Sequence, residues 1–163
     1  MDEAERLWAI QEIRRLKARR VRCMDEKDWP GYAACHAPDA VSYTFGDNDT
    51  FADSATGVVQ GPVRGAQAIA DLLQAYLDGE NKRTTVHHIH APEIELTSET
   101  TATGVWPMED MLWWEEGGEP RWMHGYGWYH ETYERLDGAW LIASRSLKRI
   151  RIDTGVGPMS PET

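Results

Sequence analysis

The chain has 163 residues, 41% of them hydrophobic, and a formal net charge of −10. That length fits one domain with one substantial core. The acidic balance speaks against a nucleic-acid or anionic-membrane surface, both of which need clustered Lys and Arg, and favours a small-molecule or protein partner.

Residues 3–27 read as one long helix, with Leu7, Ile10, Ile13, Leu16, Val21 and Met24 at helical spacing. Trp29-Pro30 ends it. A short second helix follows in "DWPGYAACHAP", opened by Asp28 as N-cap with Pro30 in its first turn. Val41–Phe45 reads as a strand, Gly46–Gly57 as an exposed acidic loop and Val58–Gln60 as a short strand. A third helix carries Ala68, Ile69, Leu72, Leu73, Tyr76 and Leu77 and stops at Asp78-Gly79. Four long strands come next, at about 85–97, 100–115, 120–136 and 139–152, and the Asp137-Gly138 turn is the strongest hairpin signal among them. One domain over 1–152 and a tail over 153–163 are expected.

Helices followed by an antiparallel meander give an α+β fold. A curved, mostly antiparallel sheet wrapped around the N-terminal helices would enclose a cone-shaped pocket, where a small ligand is expected. Eight tryptophans and six tyrosines against two phenylalanines give many large side chains a polar tip, which suits a pocket as well as a core. Cys23 and Cys35 form neither a disulfide framework nor a zinc spacing. The N-terminus is acidic and unlike a signal peptide, and no run is apolar enough to span a bilayer, so a cytoplasmic protein is expected.

The densest chemistry lies in "TVHHIHAPEIEL", Thr85–Leu96, where His87, His88 and His90 fall within four residues. Imidazole is the side chain whose charge changes nearest neutral pH. Strict alternation puts His88 and His90 on one face with Ile94 and Leu96, and His87 on the other. A bulge at Ala91-Pro92 would turn His87 and Ile89 inward instead. Pattern alone leaves both readings open. A metal site from His88, His90 and Asp110 is the weaker alternative, since no helical His spacing or cysteine supports it.

Helix one carries polar residues on its apolar side. Lys17 and Arg20 fall within the arc and Asp25 at its edge, so Asp25 needs a partner: a structural one such as Arg20, or a catalytic one. Trp106, Met108 and Asp110 share one strand face, and Arg145, Leu147 and Arg149 share another; inward arginines would bind an anionic or departing group. The chain holds no phosphate-cradling glycine loop and no nucleophile elbow.

Taken in order, "IRRLKARRVRCMDEKDWPGYAACHAPDAV", "GPVRGAQAIADLL", "TVHHIHAPEIEL", "TATGVW" and "GYGWYHETYERLDGAWLIASRSLKRI" resemble the SnoaL-like branch of the nuclear-transport-factor-2-like superfamily over roughly residues 5–150. Within it the chain looks most like the cofactor-free lyases: scytalone dehydratase, bile acid dehydratase and hexachlorocyclohexane dehydrochlorinase. That resemblance implies a general base at His87, in the bulged register, oriented by Asp25. It places Arg20 and Arg145 near the leaving group, with Tyr43 as a substitute phenol. It matches Asp110 and Arg149 to polar pocket positions. Tyr76, His90, Trp106 and Met108 would help hold a hydrophobic ring.

The expected activity is therefore a cofactor-independent lyase, a dehydratase or related elimination, on a ring-containing small molecule. A polyketide-type cyclase or isomerase, or a retro-aldol lyase, would use the same two residues. A non-catalytic binding or assembly module is the alternative from another class. No cofactor or metal is expected. A homodimer or homotrimer is expected, with no nucleic-acid or membrane partner.

Overall fold

The computed structural model describes residues 1–43 and 62–158. Helix α1 spans Glu3–Glu26, α2 Trp29–Ala33 and α3 Ala66–Asp78. The strands are β1 His36–Ser42, β2 Val63–Arg64, β3 Thr84–Ile89, β4 Glu93–Leu96, β5 Thr101–Glu116, β6 Glu119–Leu136 and β7 Ala139–Val156. They form one sheet in the order β2-β1-β7-β6-β5-β3, with β4 also paired to β5. All pairings are antiparallel except β1 with β7. The expected α+β architecture is therefore present. The Gly46–Gly57 loop and the Val58–Gln60 strand lie outside the described residues.

Helix α1 starts on a capping box. Asp2 Oδ1 accepts from the Glu5 backbone N–H at 2.8 Å, and Glu5 Oε2 accepts from that of Asp2 at 2.7 Å. Its buried face differs from the expected stripe. It runs through Ala9, Ile13, Leu16, Lys17, Arg20, Val21, Cys23 and Met24, while Leu7 is 63% exposed. Two cations sit inside this face because the sheet offers a partner to Lys17 and α2 one to Arg20, described below. Asp28 caps α2 by accepting from Gly31 N–H at 3.0 Å, with Pro30 in the first turn as expected.

The hairpins follow their turn residues. Asp137 (φ 49°) and Gly138 (φ 84°) both take the left-handed conformation that a tight two-residue turn requires. Strand β1 begins at His36, inside the stretch read as helix two. Strand β7 runs on to Val156, because Gly155 and Val156 still pair with Trp122 and Arg121. The expected tail boundary at 153 thus falls inside a strand.

Two bulges shape β7. Ala143 and Ile150 are skipped in the pairing with β6, where Thr132 faces Ser144 but Tyr133 faces Ile142, and Tyr126 faces Arg151 but Gly127 faces Arg149. Between them the pleat turns Arg145, Leu147 and Arg149 toward the helices. The inner sheet face and the helices bury two neighbouring clusters. One joins Ile13 and Leu16 to Trp106, Met108, Tyr129 and Tyr133; the other joins Met24, Trp29 and Tyr32 to α3, Leu112 and Met123.

Candidate active site

The histidine segment breaks where proline forces it to. Ile89 pairs with Met108 and Glu93 with Val105, so four steps on one side oppose three on the other. The His90 N–H donates to the Pro107 carbonyl at 2.9 Å across this irregularity. Residues Thr85, His87 and Ile89 consequently share the inner face with Ile94 and Leu96. The bulged register is the one the fold adopts.

This register brings His87 to the end of α1. His87 Nδ1 lies 2.6 Å from Asp25 Oδ1, and the His87 backbone N–H donates to Asp25 Oδ2 at 2.9 Å. The Thr85 hydroxyl donates to Asp25 Oδ1 at 2.8 Å. Burial alone would raise the Asp25 carboxyl, but the hydrogen bonds and charge of His87, with that of Thr85, hold it below its ordinary value. An ionised carboxylate only accepts, so Nδ1 of the neutral ring carries the hydrogen and Nε2 keeps its lone pair. The His87 side chain is 6% exposed.

Nε2 faces Asp110, whose Oδ2 lies 3.9 Å away. Asp110 does not take up the ring directly, because Arg149 grips both its oxygens, at 2.6 and 2.7 Å. The pair fits only over a glycine. A Cβ on Gly125 would stand 2.0 Å from Arg149 Nη1 and 2.4 Å from Asp110 Oδ1.

A second polar cluster lies along the inner face of β6 and β7. Lys17 Nζ donates to Glu131 Oε1 at 2.5 Å, and Tyr133 donates to Glu131 Oε2 at 2.5 Å while accepting from Trp106 Nε1 at 2.7 Å. Arg20 donates to the Tyr32 hydroxyl at 2.6 Å. Arg145 is 3% exposed, with its guanidinium carbon 5.0 Å from the centre of the Tyr129 ring; Arg20 approaches the same ring at 5.6 Å. Burial would raise the Glu131 carboxyl, but Lys17 and Arg20 overcome this and hold it at about 2. Burial, then Arg20 and Arg145, push His36 down to about 3, so it is neutral. Two buried guanidiniums and Lys17, whose ammonium burial pushes well below its ordinary value, thus gather about one buried carboxylate, and among the described residues Arg20 Nε, Arg20 Nη1 and Arg145 Nε have no hydrogen-bond partner.

The other expected site residues fall elsewhere. His90 is on the outer face, with its side chain 60% exposed and 4.0 Å from Glu109, because strand alternation puts it opposite His87. Tyr43 is 48% exposed and lines a groove of about 300 Å³ with Val105, His130 and Ser146, so it is not beside His87. Asp110 and Arg149, expected at polar pocket positions, point inward and are bonded to each other. Trp106 and Met108 are buried in the core beside Tyr129 and Tyr133. Tyr76 packs at the edge of the second cluster, under the Arg83 guanidinium at 4.3 Å. Asp25 bonds His87 and Thr85, and Arg20 bonds Tyr32, so the structural Asp25–Arg20 pairing does not form. His88 and His90 are exposed on the outer face while Asp110 is buried on Arg149, so these three do not converge; among the described residues no group of three or more His, Cys, Asp or Glu is placed to hold a metal ion. No described helix is long and apolar enough to cross a membrane.

Sequence reasoning missed Thr85, Lys27, Tyr32, Tyr129 and Glu131. Two signals were present. Thr85 stands two residues before His87, hence on the same face, and Glu131 sits at period two between Tyr129 and Tyr133.

The fold is shared with solved structures. A type 2 hexachlorocyclohexane dehydrochlorinase (LinA) superposes with a TM-score of 0.78 at 19% identity, covering 98% of each chain. The type 3 form from Novosphingobium barchaimii LL02 gives 0.75 at 17%, covering 98% of this chain and 100% of the other. ActVI-ORFA from Streptomyces coelicolor gives 0.65 at 15%, covering 87% and 97%. The family model for the SnoaL-like domain matches residues 5–146, and the chain belongs to that family.

Proposed function

We propose that this chain is a cofactor-independent lyase acting by elimination on a hydrophobic ring-containing molecule. The observation that carries the reading is the 2.6 Å contact between Asp25 and His87. It leaves His87 Nε2 as an inward-facing base beside a buried carboxylate. Elimination needs one base and one place for the departing group. Nε2 takes a proton from carbon, the C–H electron pair becomes the new double bond, and the bond to the leaving group breaks with its electrons. The ring then carries a positive charge that Asp25 and Asp110 stabilise. Arg20 and Arg145, with unpartnered N–H groups around Tyr129, would receive the departing anion. Names among the structural neighbours that denote elimination, dehydrochlorinase above all, support the same reading.

The test is turnover of a panel of cyclic compounds bearing an acidic C–H next to a carbon that carries halide, hydroxyl or an acyloxy group, with an open polyketone alongside. Release of the leaving group with a primary deuterium isotope effect at that C–H is expected. Ring closure of an open polyketone, with no group expelled, would favour the cyclase reading. No turnover across the panel by folded protein would favour a binding module.

A further inference from the structure

Lys27 occupies a backbone conformation that suits glycine. It closes α1 with φ 62°, and only it and Asp137 among the described non-glycine residues have positive φ. Glycine is the usual residue at such a helix end, because a Cβ is strained there. A lysine kept in that position points to a use for its side chain. That side chain reaches across to β3, where Nζ donates to Thr85 Oγ1 at 2.9 Å.

The direction of the next bond follows from donor counting. An ammonium has donors and no acceptor, so Thr85 Oγ1 must accept from Lys27. Its single hydrogen is then free to point at Asp25 Oδ1, 2.8 Å away. The same oxygen receives His87 Nδ1. Without the ammonium, the hydroxyl can rotate and present a lone pair elsewhere. We infer that Lys27 and Thr85 are positioning residues: they fix the Thr85 hydroxyl as a donor to Asp25 and so hold the charged carboxylate in place on His87 Nδ1.

The catalytic meaning of this chain rests on the lyase reading, but the hydrogen bond itself is read without substrate. The experiment is a pair of one- and two-bond ¹⁵N–¹H correlation spectra of the full chain above the titration of its histidines, with the His87 signals identified by His87→Gln. Wild type and Thr85→Ser are expected to show the Nδ1–H form alone. Lys27→Gly and Thr85→Val are expected to keep that form, which the charged Asp25 dictates, but with the Nδ1–H proton shifted upfield as its hydrogen bond to Asp25 loosens. In these two variants the Asp25 carboxyl should also titrate higher. A merely structural lysine predicts the opposite for Lys27→Gly: equal or greater thermal stability, from the relieved backbone, with unchanged His87 and Asp25 signals. That result, or a wild-type ring protonated at Nε2, overturns the inference. If Thr85→Val does not fold, Lys27→Gly decides alone. An inactive substrate panel with the expected proton shifts would sink the lyase reading and leave the positioning role standing.

Discussion

The two polar clusters of the inner face are built on opposite electrostatic plans. Around His87 the charges are matched: Asp25 is saturated by donors, and Asp110 is closed off by the Arg149 fork. Around Tyr129 they are less evenly matched among the described residues: Lys17, Arg20 and Arg145 gather about Glu131. A balanced cluster keeps a ring in one protonation form, which suits moving a proton. An unbalanced buried cluster attracts whatever negative charge arrives, which suits binding an anion. On the proposed lyase reading, the first cluster would serve the proton and the second the departing anion.

Several changes would break that contrast, and they rank by expected size. Removing the base should cost most: His87→Ala and Asp25→Ala should each lower turnover by roughly a hundredfold or more, measured on the panel compound that wild type consumes. Next is the anion end, where Arg145→Met should lower turnover by about tenfold to a hundredfold. The same change should leave the melting temperature equal or higher, since it relieves repulsion with Arg20. Glu131→Gln should do the reverse to stability. It leaves Lys17 and the two guanidiniums without their carboxylate and should cost about 3–5 kcal/mol in denaturant unfolding.

The pH dependence sharpens the same comparison. His36 is neutral in the fold and depressed to about 3 from an ordinary value near 6.5 by burial and by Arg20 and Arg145. Below pH 6.5 the unfolded chain binds a proton that the fold refuses, so stability falls with falling pH down to about 3. From pH 7 to pH 5 this contributes a loss of about 2 kcal/mol, and His36→Gln should flatten that slope. Glu131, depressed to about 2, adds a loss only below its ordinary value near 4.5. The smallest predicted effect is at the surface: His90→Ala should leave turnover within about twofold of wild type, as expected of an exposed position.

Much of this was legible in the chain. The meander announced itself through Asp137-Gly138 and Glu116-Gly117-Gly118, where residue chemistry and turn geometry coincide. Lys17 and Arg20 stood out as charges on an apolar arc. The pleat at His87 was ambiguous by pattern, because a one-residue bulge inverts every face beyond it; the family resemblance implied the register that formed. The contacts between distant segments were not legible. The parallel pairing of β1 with β7, the Asp110–Arg149 fork over Gly125 and the seat of Lys17 on Glu131 all depend on how far the β7 bulges turn their side chains. Nothing in local spacing encodes that.

The most direct measurement compares wild type with His87→Gln on one ring substrate labelled with deuterium at the acidic carbon. Wild type should release the leaving group with a primary isotope effect, and the folded variant should lose roughly a hundredfold of that rate. Equal rates in the two proteins, or no sensitivity to deuterium at that carbon with slow product release ruled out by single-turnover kinetics, would contradict a His87 base.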